Sequence, residues 1–146
     1  MLLEQIQKDL KNAQLARDEI KTSTLRLLLS EIKNAEIAKG GELADPEIVS
    51  VVQREVKKRN EAVLAFRSGG REESAKKEEL EAKILQSYLP TQLSTEELTK
   101  VVETTINELG AKSFTDMGRV IGAVMGEVKG QADGSAVSSL VKEKLS

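Results

Sequence analysis

The sequence predicts an all-α protein, with an N-terminal unit of four helices followed by a small C-terminal unit of three. Apolar residues recur every three or four positions along each long segment, and no segment alternates apolar and polar residues as a half-buried strand does. With 39% hydrophobic residues among 146, the chain has enough apolar material for one compact domain or two small ones.

The first two helices are marked by apolar faces and by a glycine pair. The first helix is predicted from about Leu2 to Ala16, and the second ends at Gly40 and Gly41, because glycine favours the left-handed conformation that closes a helix. The residues expected to point inward are Leu3, Ile6, Leu10, Ala13, Leu25, Leu28, Leu29, Ile32 and Ala35.

The third helix opens at Asp45 and Pro46, because aspartate accepts hydrogen bonds from free amides and proline loses nothing at the first helical position. It stops at the glycine pair 69–70, and a fourth helix runs from about Arg71 to Tyr88. The apolar faces of these two helices are predicted to bury Ile48, Val52, Val56, Val63, Phe66, Leu80, Ile84, Leu85 and Tyr88.

The break at Leu89 and Pro90 marks a domain boundary, which separates residues 1–89 from residues 90–146. Ser94 and Glu97 then form a capping box for the fifth helix, a strong start signal. A unit of fewer than about 60 residues has a marginal core. We therefore expect it to dock on the N-terminal helices or on a partner.

Three short helices make up the C-terminal unit. The fifth ends at Gly110, the sixth is capped by Ser113 with Asp116 and ends at Lys129 and Gly130, and the seventh starts at Asp133 and Gly134. Their inward residues are predicted to be Leu98, Val101, Val102, Ile106, Leu109, Met117, Ile121, Val124, Val128, Val137, Leu140, Val141 and Leu145.

Gly118, Gly122 and Gly126 lie one helical turn apart in the sixth helix, between its apolar stripe and Arg119, so the row is expected to border the core rather than to face open water. Each glycine costs about 1 kcal/mol against alanine in a helix interior, so three in one row need a physical reason. A row without side chains allows another group to approach the helix backbone closely. That group is either a neighbouring helix or the backbone of a ligand such as RNA.

The composition excludes much of catalysis. Without cysteine or histidine there are no disulfides, no thiolate metal sites and no histidine base. The sequence also lacks a phosphate-binding loop, a nucleophile elbow and a dinucleotide fingerprint. Serine with lysine is the only nucleophile and base pair still possible. Ser138 and Ser139 near Lys142 offer such a pair, but they lie on a short helix without an enclosed pocket. We predict no catalytic residue, no metal site and no cofactor.

No apolar run approaches the length of a membrane span, and the N-terminal residues lack the blocks of a signal peptide. The sequence therefore predicts a cytoplasmic protein without a membrane partner. Its net charge of −2 indicates no partner by bulk electrostatics. The three aromatic residues, Phe66, Tyr88 and Phe114, are too few to suggest a platform for stacking bases.

The densest basic cluster, Arg54, Lys57 and Lys58, lies on the third helix. Glu55 and Glu61 stand at pairing distances among these cations, so surface ion pairs and anion binding both remain open. Arg59, within the apolar stripe, is predicted to be structural. It requires a carboxylate partner from the fourth helix, namely Glu78, Glu79 or Glu81.

The exit of the sixth helix is the better candidate for recognition. Arg119 flanks the glycine row, Lys129 lies at the helix C-terminus, and free amides at the start of the next helix suit a phosphate. Asp133 is expected to cap those amides itself and to repel phosphate. A simple helix–loop–helix closed by Gly130 therefore remains an alternative.

Four segments carry a family resemblance: residues 57–71 (KKRNEAVLAFRSGGR), 77–90 (KEELEAKILQSYLP), 116–125 (DMGRVIGAVM) and 128–134 (VKGQADG). They resemble the YqeY proteins, the stand-alone members of the GatB/YqeY group, over essentially the whole chain. The resemblance implies the same division into four and three helices.

The resemblance extends to the tail of the GatB subunit of the glutamine-dependent aspartyl/glutamyl-tRNA amidotransferase, a carbon–nitrogen ligase, where a similar tail contacts tRNA. Amide transfer there needs a kinase-like body and an amidase subunit, which this chain lacks. The chain is thus expected to carry only the tail's tRNA-binding role in translation, without catalysis of its own. The matching positions are Gly118, Arg119, Gly122, Lys129, Gly130 and Asp133.

The chain departs from the tail pattern at Gly126, Glu127 and Gln131, where relatives often carry proline and basic residues. Three hypotheses follow. The first is a tRNA-binding helical module that uses Arg119, Lys129 and the glycine row, with help from Arg54, Lys57 and Lys58. The second is a protein-interaction adaptor that binds no nucleic acid. The third is an amidotransferase in its own right, for which the chain lacks the necessary groups.

Overall fold

A computed structural model describes the whole chain, Met1–Ser146, and all of its regular elements are helical. The helices are α1 (Leu2–Leu15), α2 (Glu19–Lys39), α3 (Asp45–Ser68), α4 (Glu72–Gln86), α5 (Thr95–Leu109), α6 (Met117–Val128) and α7 (Gly134–Leu145). A single 3₁₀ turn, Phe114–Asp116, precedes α6. The all-α prediction, with four helices followed by three, is confirmed.

The chain forms two compact units, Met1–Leu89 and Pro90–Ser146. In the first unit α3 and α4 form a long hairpin, and α2 packs against both of them as well as against α1. All four helices supply its core, which consists of Ile6, Leu25, Leu28, Ile32, Ile48, Val51, Val52, Val56 and Leu85.

The helix ends of the first unit follow local chemistry. Gly40 closes α2 in the left-handed conformation, at φ 80°, and its N–H donates to the Glu36 carbonyl at 2.8 Å. The predicted cap of α3 is wrong in one respect. The Asp45 carboxylate accepts from the Leu2 N–H at 3.2 Å, so it anchors the start of α1 instead of capping its own helix.

In the second unit α5, α6 and α7 pack around one small core. Its buried residues are Leu98, Val102, Ala111, Val120, Val124, Val128, Ala132, Val137, Val141 and Leu145. The predicted capping box at the start of α5 is confirmed: the Ser94 Oγ accepts from the Glu97 N–H at 3.1 Å, and the Glu97 Oε1 accepts from the Ser94 N–H at 3.2 Å.

On two helices, the buried face differs from the predicted one by one residue. Leu80, expected in the core, is 48% exposed, and its neighbour Glu81 is buried instead. On α6, Val120 is fully buried and Ile121 only half-buried. Because both α5 and α7 pack against α6, its covered face is wider than the stripe that the sequence indicated.

Carboxylates surround Arg59, and its predicted pairing with the fourth helix is confirmed. The Arg59 Nε lies 3.0 Å from the Glu81 Oε2 and 3.5 Å from the Glu78 Oε2. Glu55 lies on the other side, 3.8 Å from Arg59 Nη2. Glu79, the third candidate, pairs with Arg67 instead. Arg59 is therefore a structural residue that joins α3 to α4.

Burial, followed by the charge of Glu81, raises the pKa of Glu78 above its usual range. None of the helices combines the length and the apolar character that a membrane crossing requires. No group of acidic side chains has the arrangement of a metal site.

Candidate functional site

The exposed side of α6 carries the glycine strip, which we define as Gly118, Gly122 and Gly126. All three residues are exposed, and a Cβ atom added to any of them would meet no atom within 4 Å. The opposite side of α6 is the core face, where Val120 and Val124 are fully buried. No helix of the C-terminal unit covers the strip, so packing within that unit does not explain the glycines.

Apolar and charged side chains flank the strip on its two sides. Ile121 and Met125 are half-buried along one edge, and Arg119 and Ala123 are exposed along the other. Glu127 follows one turn after Ala123 and is also exposed. The α6 surface therefore offers a flat backbone track with an apolar margin and a margin of mixed charge.

Arg119 is held in place at the N-terminal end of α6. Its Nη2 donates to the Asp116 Oδ1 at 3.1 Å and to the Leu109 carbonyl at 3.3 Å. A backbone hydrogen bond from Lys112 is the main cause that keeps the pKa of Asp116 below its usual range. Asp116 is therefore charged at neutral pH and offsets the charge of Arg119.

Lys129 supplies a second cation at the other end of α6. It closes the helix in the left-handed conformation, at φ 41°, and its N–H donates to the Met125 carbonyl at 3.2 Å. A residue other than glycine is uncommon in this conformation. The Lys129 side chain is exposed and has no carboxylate within ion-pair distance.

Gly130 and Asp133 lie in the turn that follows. Gly130 has φ 85°, and its carbonyl accepts from the Gln92 Nε2 at 3.0 Å, which indicates a structural role in closing the loop. Asp133 precedes α7, but its side chain makes no capping hydrogen bond. The expectation that Asp133 occupies the first amides of α7 is therefore wrong, although its negative charge remains close to them.

The basic cluster of α3 lies in the other unit. Lys58 pairs with the buried Glu55, its Nζ 3.1 Å from the Glu55 Oε2, which favours the interpretation as surface pairing for this residue. Lys57 is exposed. Arg54 is exposed at a groove of about 600 Å³ between α2 and α3, and it has no carboxylate partner within ion-pair distance.

The pairing of Asp116 with Arg119 was not predicted from the sequence. The signal was present, because residues three apart on a helix face each other and these two carry opposite charges. The predicted capping role of Asp116 with Ser113 is also present, in a capping box at the 3₁₀ turn before α6. The Asp116 Oδ2 accepts from the Ser113 N–H at 3.4 Å and from the Lys112 N–H at 3.0 Å.

Comparison with known proteins gives one family. A family model described as Yqey-like protein matches residues 3–145. Neither this description nor the names of similar curated proteins indicates catalysis.

The similar curated proteins carry the name "Altered inheritance of mitochondria protein 41, mitochondrial". The one from Vanderwaltozyma polyspora is 35% identical over 113 residues, which are 75% of this chain and 61% of that protein. The one from Eremothecium gossypii is 35% identical over 111 residues, 73% of this chain and 60% of that protein. The one from Pyrenophora tritici-repentis is 30% identical over 129 residues, 84% of this chain and 71% of that protein.

The chain thus spans about three fifths of the length of the first two of these relatives. The relatives are named as mitochondrial proteins. The predicted cytoplasmic location is contradicted by these names. It rested on the absence of a signal peptide and of a membrane span, two features that do not distinguish the cytosol from the interior of an organelle.

Proposed function

Because the chain belongs to the YqeY family, we propose that it is a non-catalytic module that binds tRNA through the exposed side of α6. The observation that carries this proposal is the open glycine strip. The resemblance to the tRNA-contacting tail of the amidotransferase supports tRNA as the partner. The names of the relatives support mitochondria as the location.

The energetics of the strip favour a partner of some kind. Gly122, in the middle of α6, costs about 1 kcal/mol relative to alanine, and nothing in the structure would obstruct an alanine there. The three glycines weaken α6 and do not improve the packing of their own unit. Contact with the backbone of another molecule would explain why they are there. The phosphate–sugar chain of a folded RNA is such a backbone.

The cations beside the strip support an RNA backbone as the partner. Arg119 lies near its first turn and Lys129 follows its last, so two positive charges flank a surface about two helical turns long. Phosphate contacts of this kind position an RNA without reading its sequence. Arg119 would keep the Leu109 carbonyl as a partner and exchange Asp116 for a phosphate oxygen.

A protein partner is the second candidate, favoured by the charge of the surface. Residues 91–146 carry six basic and eight acidic side chains, and Asp116 already offsets Arg119. The half-buried Ile121 and Met125 give the strip an apolar edge that suits a partner helix. Such a contact would be insensitive to nuclease and to high salt.

Binding of bulk tRNA at low and moderate salt separates the two candidates. The tRNA proposal predicts salt-dependent binding at micromolar protein that is abolished in Gly122→Leu, because the leucine blocks close approach. Thr104→Leu, on the exposed side of α5, is the matched control and should bind as the natural chain does. Absence of salt-dependent binding would end the tRNA proposal. A pull-down from a cell extract tests the adaptor. A nuclease-resistant complex with a protein from the extract that disappears in Gly122→Leu would support it.

Association with a glutamine-dependent amidotransferase is part of the same proposal, and the chain would contribute binding alone. Incubation of the chain with glutamine, ATP and misacylated tRNA should release no glutamate. Release of glutamate above the level of a heat-denatured sample would contradict the proposed non-catalytic role.

A further inference from the structure

A polar groove of about 540 Å³ lies at the corner between α1 and α2, within the N-terminal unit and apart from α6. Its walls are formed by Gln14, Arg17, Glu19, Thr22, Ser23 and Arg26. The residues from α2 recur at intervals of three and four, so they share one face of that helix. Gln14 and Arg17 face them from the end of α1 and the turn that follows it.

The two arginines of this groove have no carboxylate partner. Arg59, Arg67 and Arg119 each pair with an acidic side chain. Arg17 and Arg26 are exposed and form no ion pair, although Glu19 lines the same groove.

The nearby Asp18 is engaged elsewhere. Its Oδ1 accepts from the Lys21 N–H at 3.0 Å and so caps α2. With two arginines and one glutamate along its walls, the groove carries a net positive charge.

Arg17 also adopts an unfavourable backbone conformation. The Asp18 N–H donates to the Ala13 carbonyl at 3.0 Å and the Arg17 N–H to the Gln14 carbonyl at 3.2 Å, the pattern of a Schellman motif. In this motif the residue at the position of Arg17 is left-handed and usually glycine, as at Gly40 after α2. Arg17 has φ 58°. The chain thus places an arginine at the groove where glycine would be more stable.

We propose that this groove binds a phosphate group between the guanidinium groups of Arg17 and Arg26. A guanidinium presents a fork of N–H donors to phosphate oxygens, and a tetrahedral phosphate has acceptor oxygens directed at both walls of the groove. Gln14 and Thr22 add an amide donor and a hydroxyl donor. The Ser23 hydroxyl donates to the Ile20 carbonyl at 3.2 Å and is not needed for the ligand.

Titration with inorganic phosphate, followed by amide NMR shifts, tests the proposal. Sodium chloride at equal ionic strength is the reference. The expected shift changes lie within residues 14–26, and Arg26→Gln should weaken binding about tenfold. Arg71→Gln is the matched control, because Arg71 is also an exposed arginine without an ion pair in this unit. Absence of a localised response, or equal weakening in Arg71→Gln, would overturn the proposal.

Arg17→Gly gives an independent readout, because it removes the guanidinium and relieves the backbone at once. The melting temperature should rise while phosphate binding falls about tenfold. Unchanged binding in this variant would overturn the role of Arg17. A nucleoside monophosphate and a short RNA, tested in parallel, identify whether the phosphate comes from a small molecule or from a nucleic-acid backbone. Either result supports the groove, and neither depends on α6.

Discussion

Replacing the glycine strip by alanine should make the protein more stable and abolish the proposed binding to α6. Gly122 lies in the middle of α6 with open space around its Cα, so Gly122→Ala should raise the free energy of unfolding by about 0.5 to 1 kcal/mol. Gly118 and Gly126 lie near the helix ends, where propensity counts less. The triple variant should therefore gain about 1.5 to 2.5 kcal/mol.

Urea unfolding followed by circular dichroism at the helix band measures this gain, because the chain is all-α and contains no tryptophan. A loss of stability in Gly122→Ala would refute the open geometry of the strip, since it would mean that an added methyl group meets an obstruction. The same variants then enter the tRNA-binding and pull-down assays.

Stability and binding measured together show whether a partner backbone approaches the strip closely. Three methyl groups hold a partner backbone away from α6, so the triple variant should lose binding while gaining stability. Ser139→Ala on the exposed side of α7 is the control, because it also favours its helix but leaves the strip unchanged. A triple variant that binds tRNA and protein partners as tightly as the natural chain refutes the reasoning.

Further predictions concern the cores of the two units. Arg59→Met should lower the free energy of unfolding by about 3 kcal/mol at pH 7 in urea unfolding, because Glu78 and Glu81 lose their cation. A neutral effect would contradict the ion-pair network. Glu78→Gln should stabilise the protein at pH 7. The pKa of Glu78 is raised by burial, so its contribution to stability is present at low pH and is lost as the pH rises through the folded-state pKa. Thermal melts from pH 4 to 8 should show the advantage of Gln shrinking as the pH falls, and a constant difference would contradict the raised pKa. Val120→Ala should cost about 2 kcal/mol and Leu80→Ala less than about 1 kcal/mol, because only Val120 is fully buried. Equal costs would contradict the observed buried face of α6 or that of α4.

The sequence was sufficient for the helices and most of their ends, because capping boxes and closing glycines are local signals. These local signals did not predict the buried face of α4 correctly. Arg59 was correctly assigned a carboxylate partner from α4, yet Leu80 was also placed inward. Adjacent helical residues point about 100° apart, so Glu81 turned towards Arg59 leaves Leu80 outward. For the orientation of α4, the need to pair the charge of Arg59 is a stronger signal than the number of apolar residues.

The expectation that the glycine strip borders the core was wrong, since all three glycines face open space. The sequence shows which side of α6 lacks side chains and not what lies against that side. The pairing of Arg119 with Asp116 was within reach of the sequence. Both facts bear on the partner. The first supports a close contact, and the second lowers the positive charge available for RNA.

The salt dependence of tRNA binding measures how many of the cations that contact phosphate belong to α6. Arg119 and Lys129 are the two cations beside the strip, and an Arg119 that exchanges Asp116 for phosphate releases less than a full counterion. Binding by α6 alone should therefore give a slope of log K against log salt between about −1 and −2. A steeper slope requires other cations of the chain, and Arg17→Gln with Arg26→Gln or Arg54→Gln should then reduce it by about one for each phosphate that is no longer neutralised. A steep slope that none of these variants changes would contradict an RNA contact built from the cations identified in either unit.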